Sequence, residues 1–438
     1  LANVLLPPPF KGENNQFPLI SIQSPYCERM ENFNNLDGSV KLRLGNGITA
    51  HTTIANYKIY GVANYGTTAL FVLALDAGTS WRLYNITTGS FVLLANLAST
   101  GLNPATFFFF DNLIFSVGAT GQTLLFDGST ATASPYTFAS IAPYGGTEFK
   151  SRAYFIGYNS TKYAYGGIEA IAGATTEVNL GGQLTSKAVM YMIRPISMTQ
   201  NLTAESALAF IFSSGEILVY TGSYPDSDNW SRVSRFKVSK PIEYNAYVEA
   251  KGDSFLFTQS EVLSLRNLFV SGYDTERDEG IGATINKRWR QCMKAYIAQG
   301  TIYKYIKGVY DEANDRIVIC MPKYVNPDTG AIVEDTLFQL IYDFNLEAWY
   351  EYIQTDDKIE VGTGATYYND AVYLAVQVNT SGTEMYVLKM EQETNHLDRN
   401  LDGSGTTPID YKLRTAHYPV NKSRSSCNND IIISSSKI

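Results

Sequence analysis

The sequence predicts an all-β protein, a β-propeller of about six blades with an extended N-terminal arm and a small C-terminal β segment. Three observations lead there. Tyr (31) and Phe (22) are abundant while charged residues are only 17% of the 438, which favours pleated aromatic surfaces over long amphipathic helices. Short alternating runs bounded by Gly, Asn, Asp and Ser follow one another from about residue 48. The same phrase then recurs along the chain: strand, tight turn, strand ending in Tyr or Phe, Gly-containing turn, strand.

The arm comes first. Residues 1–47 open with Pro7-Pro8-Pro9, Pro18 and Pro25 among few periodic apolar positions, so the segment lacks donors for a regular ladder and reads as an extended arm leading to a first strand. Its apolar Leu5, Leu6, Phe10, Phe17, Leu19 and Ile20 are expected to cover a neighbouring protein. The chain begins at Leu1, so a native start upstream of it is expected.

The propeller is expected over residues 48–395. Its opening runs are Tyr57-Lys58-Ile59-Tyr60-Gly61-Val62, Ala69-Leu70-Phe71-Val72-Leu73 and Trp81-Arg82-Leu83-Tyr84. A meander follows: Phe107 to Phe110, a turn at Asp111-Asn112, Leu113 to Ser116, then Thr123 to Phe126 closed by Asp127-Gly128. Further copies include Ala207 to Phe212 with Glu216 to Tyr220, Ala250 to Leu265, Gln339 to Tyr352 and Ala365 to Met390. Blades of about 40–45 residues fit about six times, and a closed ring keeps sheet edges short. A pair of stacked β-sandwiches has the same strand spacing and is the alternative.

One segment differs. Across residues 274–299, Ile281, Ile285, Trp289, Met293 and Tyr296 fall at helical spacing, with Gly300 as a stop. Lys287, Arg290 and Lys294 share one face of that helix. They are either the solvated side of a packing helix or a contact with a neighbouring subunit or with channel phosphates. Residues 396–438 are expected to form a small C-terminal β segment.

The chemistry-bearing residues are sparse. His51, His396 and His417 are scattered, with no H-E-x-x-H spacing and little material for a Ser-His-Asp triad. No Gly-Lys dipeptide exists, which excludes the phosphate loop that ends in Gly-Lys-Ser/Thr, and Gly280-Ile281-Gly282 has Ile285 where a dinucleotide fingerprint needs Gly. Asp226, Asp228 and Asn229 lack the Gly and terminal Glu of a calcium loop and read as a solvated turn. Cys27, Cys292, Cys320 and Cys427 stand far apart and are expected as free thiols from a reducing cytoplasm. Asp76-Ala77-Gly78-Thr79-Ser80-Trp81 resembles the Asp-box hairpin of sialidase propellers, where the box is a turn device away from the catalytic centre. No catalytic, cofactor-binding or metal-ligating residue is expected, and no enzyme activity. Carboxylate pairs for glycoside hydrolysis leave no linear signature.

Lys plus Arg total 34 against 42 Asp plus Glu, a net charge of −8, opposite in sign to a general nucleic-acid binder but suited to a conduit past which DNA slides. No apolar run approaches the ~20 residues of a membrane helix.

Four stretches together resemble the propeller-containing tail proteins of short-tailed bacteriophages, known as nozzle, tail tubular or packaged-DNA stabilisation proteins. They are Asn32 to Gly45; Asp111 to Phe115 with Leu125 to Thr130 and Phe149 to Phe155; Ser214 to Gly222 with Trp230, Lys240-Pro241 and Gly252-Asp253; and Tyr342 to Trp349 with Tyr367 to Tyr373 and Leu401 to Ile409. The resemblance covers about half the chain by the order and spacing of these stretches. It implies a structural virion protein, assembled in the host cytoplasm into a ring, usually a hexamer, around the DNA channel, with residues 396–438 as part of a tail platform. The implied partners are other copies of the chain, an adaptor or portal-side ring, tail fibre proteins and non-specific double-stranded DNA, with no membrane before infection. A glycan-binding or glycan-cleaving propeller is the alternative, since aromatic-lined pockets would suit it.

Overall fold

The computed structural model describes residues 11, 13, 27–36, 39–53, 57–76, 80–98, 106–117, 122–133, 135–200, 203–271, 281–300, 305–357, 359–378, 384–392, 397–401, 405–415 and 430–433. Turn chemistry fixes the hairpins. Asn369 and Asp370, both at positive φ (46° and 57°), form a two-residue turn between Tyr368 and Ala371, whose mirror-image geometry matches the twist of the flanking strands. Lys150 and Ser151 do the same between Phe149 and Arg152.

These hairpins build sheets that follow one another in chain order. The first blade is Tyr57–Tyr65, Ala69–Asp76, Ser80–Asn85 and Val92–Ala98; the second is Thr106–Phe110, Asn112–Val117, Gln122–Phe126 and Ala131–Ala133. The third is Pro143–Glu148, Ala153–Gly157, Lys162–Tyr165 and Thr176–Asn179; the fourth is Met190–Gln200, Thr203–Phe212, Glu216–Thr221 and Ser231–Lys237. A three-stranded fifth blade, Tyr247–Ala250, Asp253–Phe257 and Val262–Ser264, is followed by two helices, Leu265–Ser271 and Asn286–Ala298. The sixth is Lys307–Asp311, Arg316–Met321, Thr336–Asp343 and Ala348–Thr355; the last is Ile359–Tyr368, Ala371–Val378 and Glu384–Lys389, completed by Gly47–Thr53 from the N-terminal side. The fold is thus a β-propeller. The expected number of about six blades corresponds to the four-stranded units, and the ring also takes in the three-stranded one.

Apolar packing lies between blades. Phe71, Trp81 and Phe126 join the first blade to the second; Phe108 and Phe155 join the second to the third; Tyr163 and Phe210 join the third to the fourth. Ile211, Phe257, Trp289 and Phe338 share one core across the fourth, fifth and sixth blades and the Asn286–Ala298 helix. Cys320 with Leu374, and Val62 with Tyr373, close the circle through the last blade. The inner strands approach so closely that a Cβ on Gly308 would lie 2.7 Å from atoms of both Phe257 and Val248, so only glycine fits there.

The sixth blade carries an extension. Cys27–Glu31 pairs parallel to Ala348–Thr355 on one side and antiparallel to Tyr411–Thr415 on the other, and Asp430–Ile433 follows, giving a seven-stranded sheet. The segment expected as arm and first strand therefore contains Cys27–Glu31 and a hairpin, Phe33–Leu36 with Ser39–Leu42, ahead of Gly47–Thr53. The helix expected across residues 274–299 is formed as Asn286–Ala298 after a single turn at Ala283–Ile285; residues 274–280 lie outside the described set.

Candidate functional site

The first strands of all the blades converge on a central cavity of about 740 Å³. Among its lining residues are Phe109, Glu148, Arg194, Tyr247, Lys307 and Thr366. Thr366 Oγ1 donates to Asn64 Oδ1 at 2.7 Å, tying the last blade to the first across the wall. Arg194 is buried; its Nη1 donates to the Tyr247 hydroxyl at 2.7 Å, its guanidinium carbon sits 4.0 Å from the Tyr247 ring centroid, and Glu249 pairs with its Nη2. Burial lowers its pKa against the opposing pull of Tyr247. Lys307 is half-buried, and desolvation lowers its ammonium to about 8 although the Glu243 charge acts the other way. No histidine, cysteine or aspartate lines this cavity among the described residues. The lining offers cations, amides, hydroxyls and aromatic faces, a set fitted to holding a ligand.

A second concentration of charge fastens the N-terminal part of the chain to the sixth blade. Arg43 is fully buried and uses all its donors: Nε to Asn32 Oδ1 (2.9 Å), Nη1 to Leu44 O (3.0 Å) and Asp398 Oδ1 (2.8 Å), Nη2 to Ile353 O (2.9 Å) and Asp398 Oδ2 (2.6 Å). The bidentate fork on Asp398 is the geometry for which guanidinium is suited. Asn46 N also donates to Asp398, at 2.9 Å. Arg288, on the Asn286–Ala298 helix, reaches Glu351 through Nε at 2.5 Å, and Arg316 joins Asp311 (2.7 Å) and Glu391. Arg29 pairs with Glu31, which also accepts from the Tyr324 hydroxyl at 2.6 Å. Glu13 is 2% exposed beside them, bonded to Met30 N at 2.5 Å. Its pKa is pushed well up, chiefly by burial and then by the neighbouring Glu351 charge.

Sequence reasoning placed Lys287, Arg290 and Lys294 on one face, and all are exposed on the side of the helix away from its buried Trp289, Cys292, Met293 and Tyr296. None of them lines the central cavity; Arg290 Nε donates to Ser260 O at 3.1 Å. Arg288 between them was not singled out, because a basic residue within a basic run carries no signal of burial. Of the arm, the described Lys11 and Glu13 bind their own chain, through Glu347 (3.8 Å) and Trp349 O (2.8 Å); the other arm residues named above lie outside the described set, as do His396, His417 and Cys427. His51 lies in Gly47–Thr53, apart from the cavity lining. Burial pushes the thiols of Cys292 and Cys320 up to about 11 and about 12. In the 226–229 turn, Asn229 Oδ1 accepts from Ser223 N (3.0 Å), and Asp226 accepts from the Tyr165 hydroxyl. The Asp76 to Trp81 hairpin joins two strands of the first blade, with its tip outside the described residues.

No family model and no curated protein matches the chain. Among solved structures, it is similar to the β-propeller domain of Cps50 (Swd1) from Myceliophteria thermophila, with 9% identity, 78% of this chain and 99% of that one covered and a TM-score of 0.48. Raptor from Chaetomium thermophilum is 9% identical over 80% of this chain and 29% of that one, with a TM-score of 0.47. The WD40 propeller domain of Doa1 is 8% identical over 80% and 98%, with a TM-score of 0.46. The propeller assignment rests on this chain's own strand order and pairing.

Proposed function

We propose that this chain is a structural, non-enzymatic subunit of a short bacteriophage tail, a nozzle or hub protein that forms a ring around the DNA channel and helps to retain and release the genome. The observation that carries the reading is the meeting of the first and fourth phage-like stretches at Arg43. Arg43, from the first stretch, bonds the Ile353 carbonyl just beyond the Tyr342 to Trp349 hairpin and Asp398 just before Leu401 to Ile409. Two of the stretches that carry the resemblance are thus held beside the sixth blade by one buried guanidinium, next to the extension of that blade. That extension ends in Asp430–Ile433, whose ladder partner among the described residues lies on one side only, the arrangement that invites a strand from another copy. The −8 charge keeps any contact with DNA weak and sequence-blind.

Mass photometry of the purified chain, followed by two-dimensional class averages, should give a closed ring, and a persistent monomer would sink the reading. Reversing Lys287, Arg290 and Lys294 together to Glu separates two roles for the stripe. An interface loses rings without DNA present; a channel contact keeps rings and alters DNA retention. The aromatic Phe109 and Tyr247 in the central cavity favour a second reading, glycan binding, which a glycan array on the monomeric protein would detect.

A further inference from the structure

We propose that the central cavity of the propeller is a binding site for a small molecule bearing an oxyanion, phosphate or carboxylate, with Lys307 as its cationic anchor. The buried arginines set the comparison: Arg29, Arg43, Arg194, Arg288 and Arg316 each have a carboxylate within ion-pair reach. Lys307 has neither an ion pair nor a side-chain hydrogen bond among the described residues, although it stands on the inner strand of the sixth blade and lines the cavity. Two carboxylates, Glu148 and Glu249, share the lining. Glu249 is taken by Arg194 and Glu148 is exposed, while Glu243 acts on the ammonium only through its charge.

An ammonium partly withdrawn from water without a partner is unfavourable, and it is stabilised either by losing its proton or by gaining an anion. Lys307 keeps its proton at neutral pH, since desolvation brings it only to about 8. An anion is therefore the missing partner. Size argues for a small molecule: about 740 Å³ falls within the ~300–1,000 Å³ of ligand pockets and is far too narrow for a duplex. Phe107 and Val309 supply apolar wall for the body of such a ligand.

Inorganic phosphate is the probe of the site, and pyridoxal, an aldehyde that carries no phosphate, reports on the Lys307 nitrogen. The neutral Lys307 amine attacks the aldehyde carbon, water leaves, and an imine forms; added borohydride delivers hydride to the imine carbon and leaves a stable secondary amine, located by peptide mass spectrometry. At about pH 8 saturating inorganic phosphate should slow that labelling roughly tenfold, by holding the Lys307 nitrogen protonated, while leaving the exposed Lys287 and Lys294 unaffected. Phosphate should also raise the melting temperature of the wild type and not that of Lys307→Met. No protection of Lys307 by phosphate, or equal protection of Lys287 and Lys294, overturns the proposal; both results come from the wild-type chain and stand even if the variant fails to fold.

Discussion

Replacing Arg43 by Met keeps the side-chain length and removes the guanidinium on which the N-terminal hairpin, the sixth blade and the C-terminal segment converge. Five N–H groups are lost at once. Asp398, 5% exposed, is left with Asn46 N as its remaining donor described here, and the carbonyls of Leu44 and Ile353 lose a buried partner. Removing one member of a buried pair costs about 3–5 kcal/mol because the other charge is stranded, against a total stability of ~5–15 kcal/mol for a typical domain. The cost should fall locally first. Hydrogen exchange should accelerate at Asn32 N, Arg43 N and Arg399 N, which bond Glu351 O, Asn32 O and Asn46 O, while Tyr57–Asn85 amides of the first blade stay protected. Adding Asp398→Leu removes the stranded charge and should recover about 2 kcal/mol, a coupling within the range seen for contacting pairs. A loss below about 1 kcal/mol, or strict additivity of the two changes, would refute the stranded-charge argument.

Three further outcomes follow from other groups. Glu216 accepts from Thr185 N (2.9 Å), Thr185 Oγ1 (2.6 Å), Ser186 Oγ (2.7 Å) and Arg235; burial would raise its pKa, but these donors hold it well below the usual carboxylate range. Its contribution is thus present above the ordinary value near ~4.3 and lost as pH falls through the lowered one, so Glu216→Gln should cost about 1–3 kcal/mol at pH 7 and flatten the acid limb of the melting curve. Glu13 has the opposite sign: its raised pKa makes anchoring of the arm strongest below ~4.3 and weaker as pH rises, and Glu13→Gln should abolish that dependence in the exchange of the Glu13 amide, which bonds Trp349 O. Gly308→Ala should cost about 1–3 kcal/mol by overpacking against Phe257 and Val248, measured by urea melting, and a neutral result would mean that the blades shift apart freely.

The blade strands were legible because a hairpin writes itself locally. Phe107 to Phe110, Leu113 to Ser116 and Thr123 to Phe126 each fall inside a strand of the second blade, with the Asp111 turn at φ 51° where the sequence put it. The helix was legible from Ile285, Trp289, Met293 and Tyr296, all buried, but its start was not, since Ile281 continues the spacing outside the helix. Pairings between distant segments left no local pattern. Nothing in Cys27–Glu31 announces a parallel partner at Ala348–Thr355, and nothing near Arg43 points to Asp398. Lys307 was missed for the same reason, because an ordinary lysine in a strand becomes unusual only when the other blades surround it.

The strand Gly47–Thr53 closes the last blade by pairing with Glu384–Lys389. During synthesis it leaves the ribosome well before its partner, with all the other blades between them. Until then its edge groups have no ladder, and the blade that will receive it does not exist. The open circle is consequently a translation intermediate with two adhesive ends, at risk of joining the wrong molecule while many copies are being made together. Non-local closure of this kind also slows the final step, since the chain entropy of bringing the ends together is spent before any contact between them forms. Once shut, the ring holds the two ends of the propeller circle in one sheet, so a cut within either strand should open the same blade.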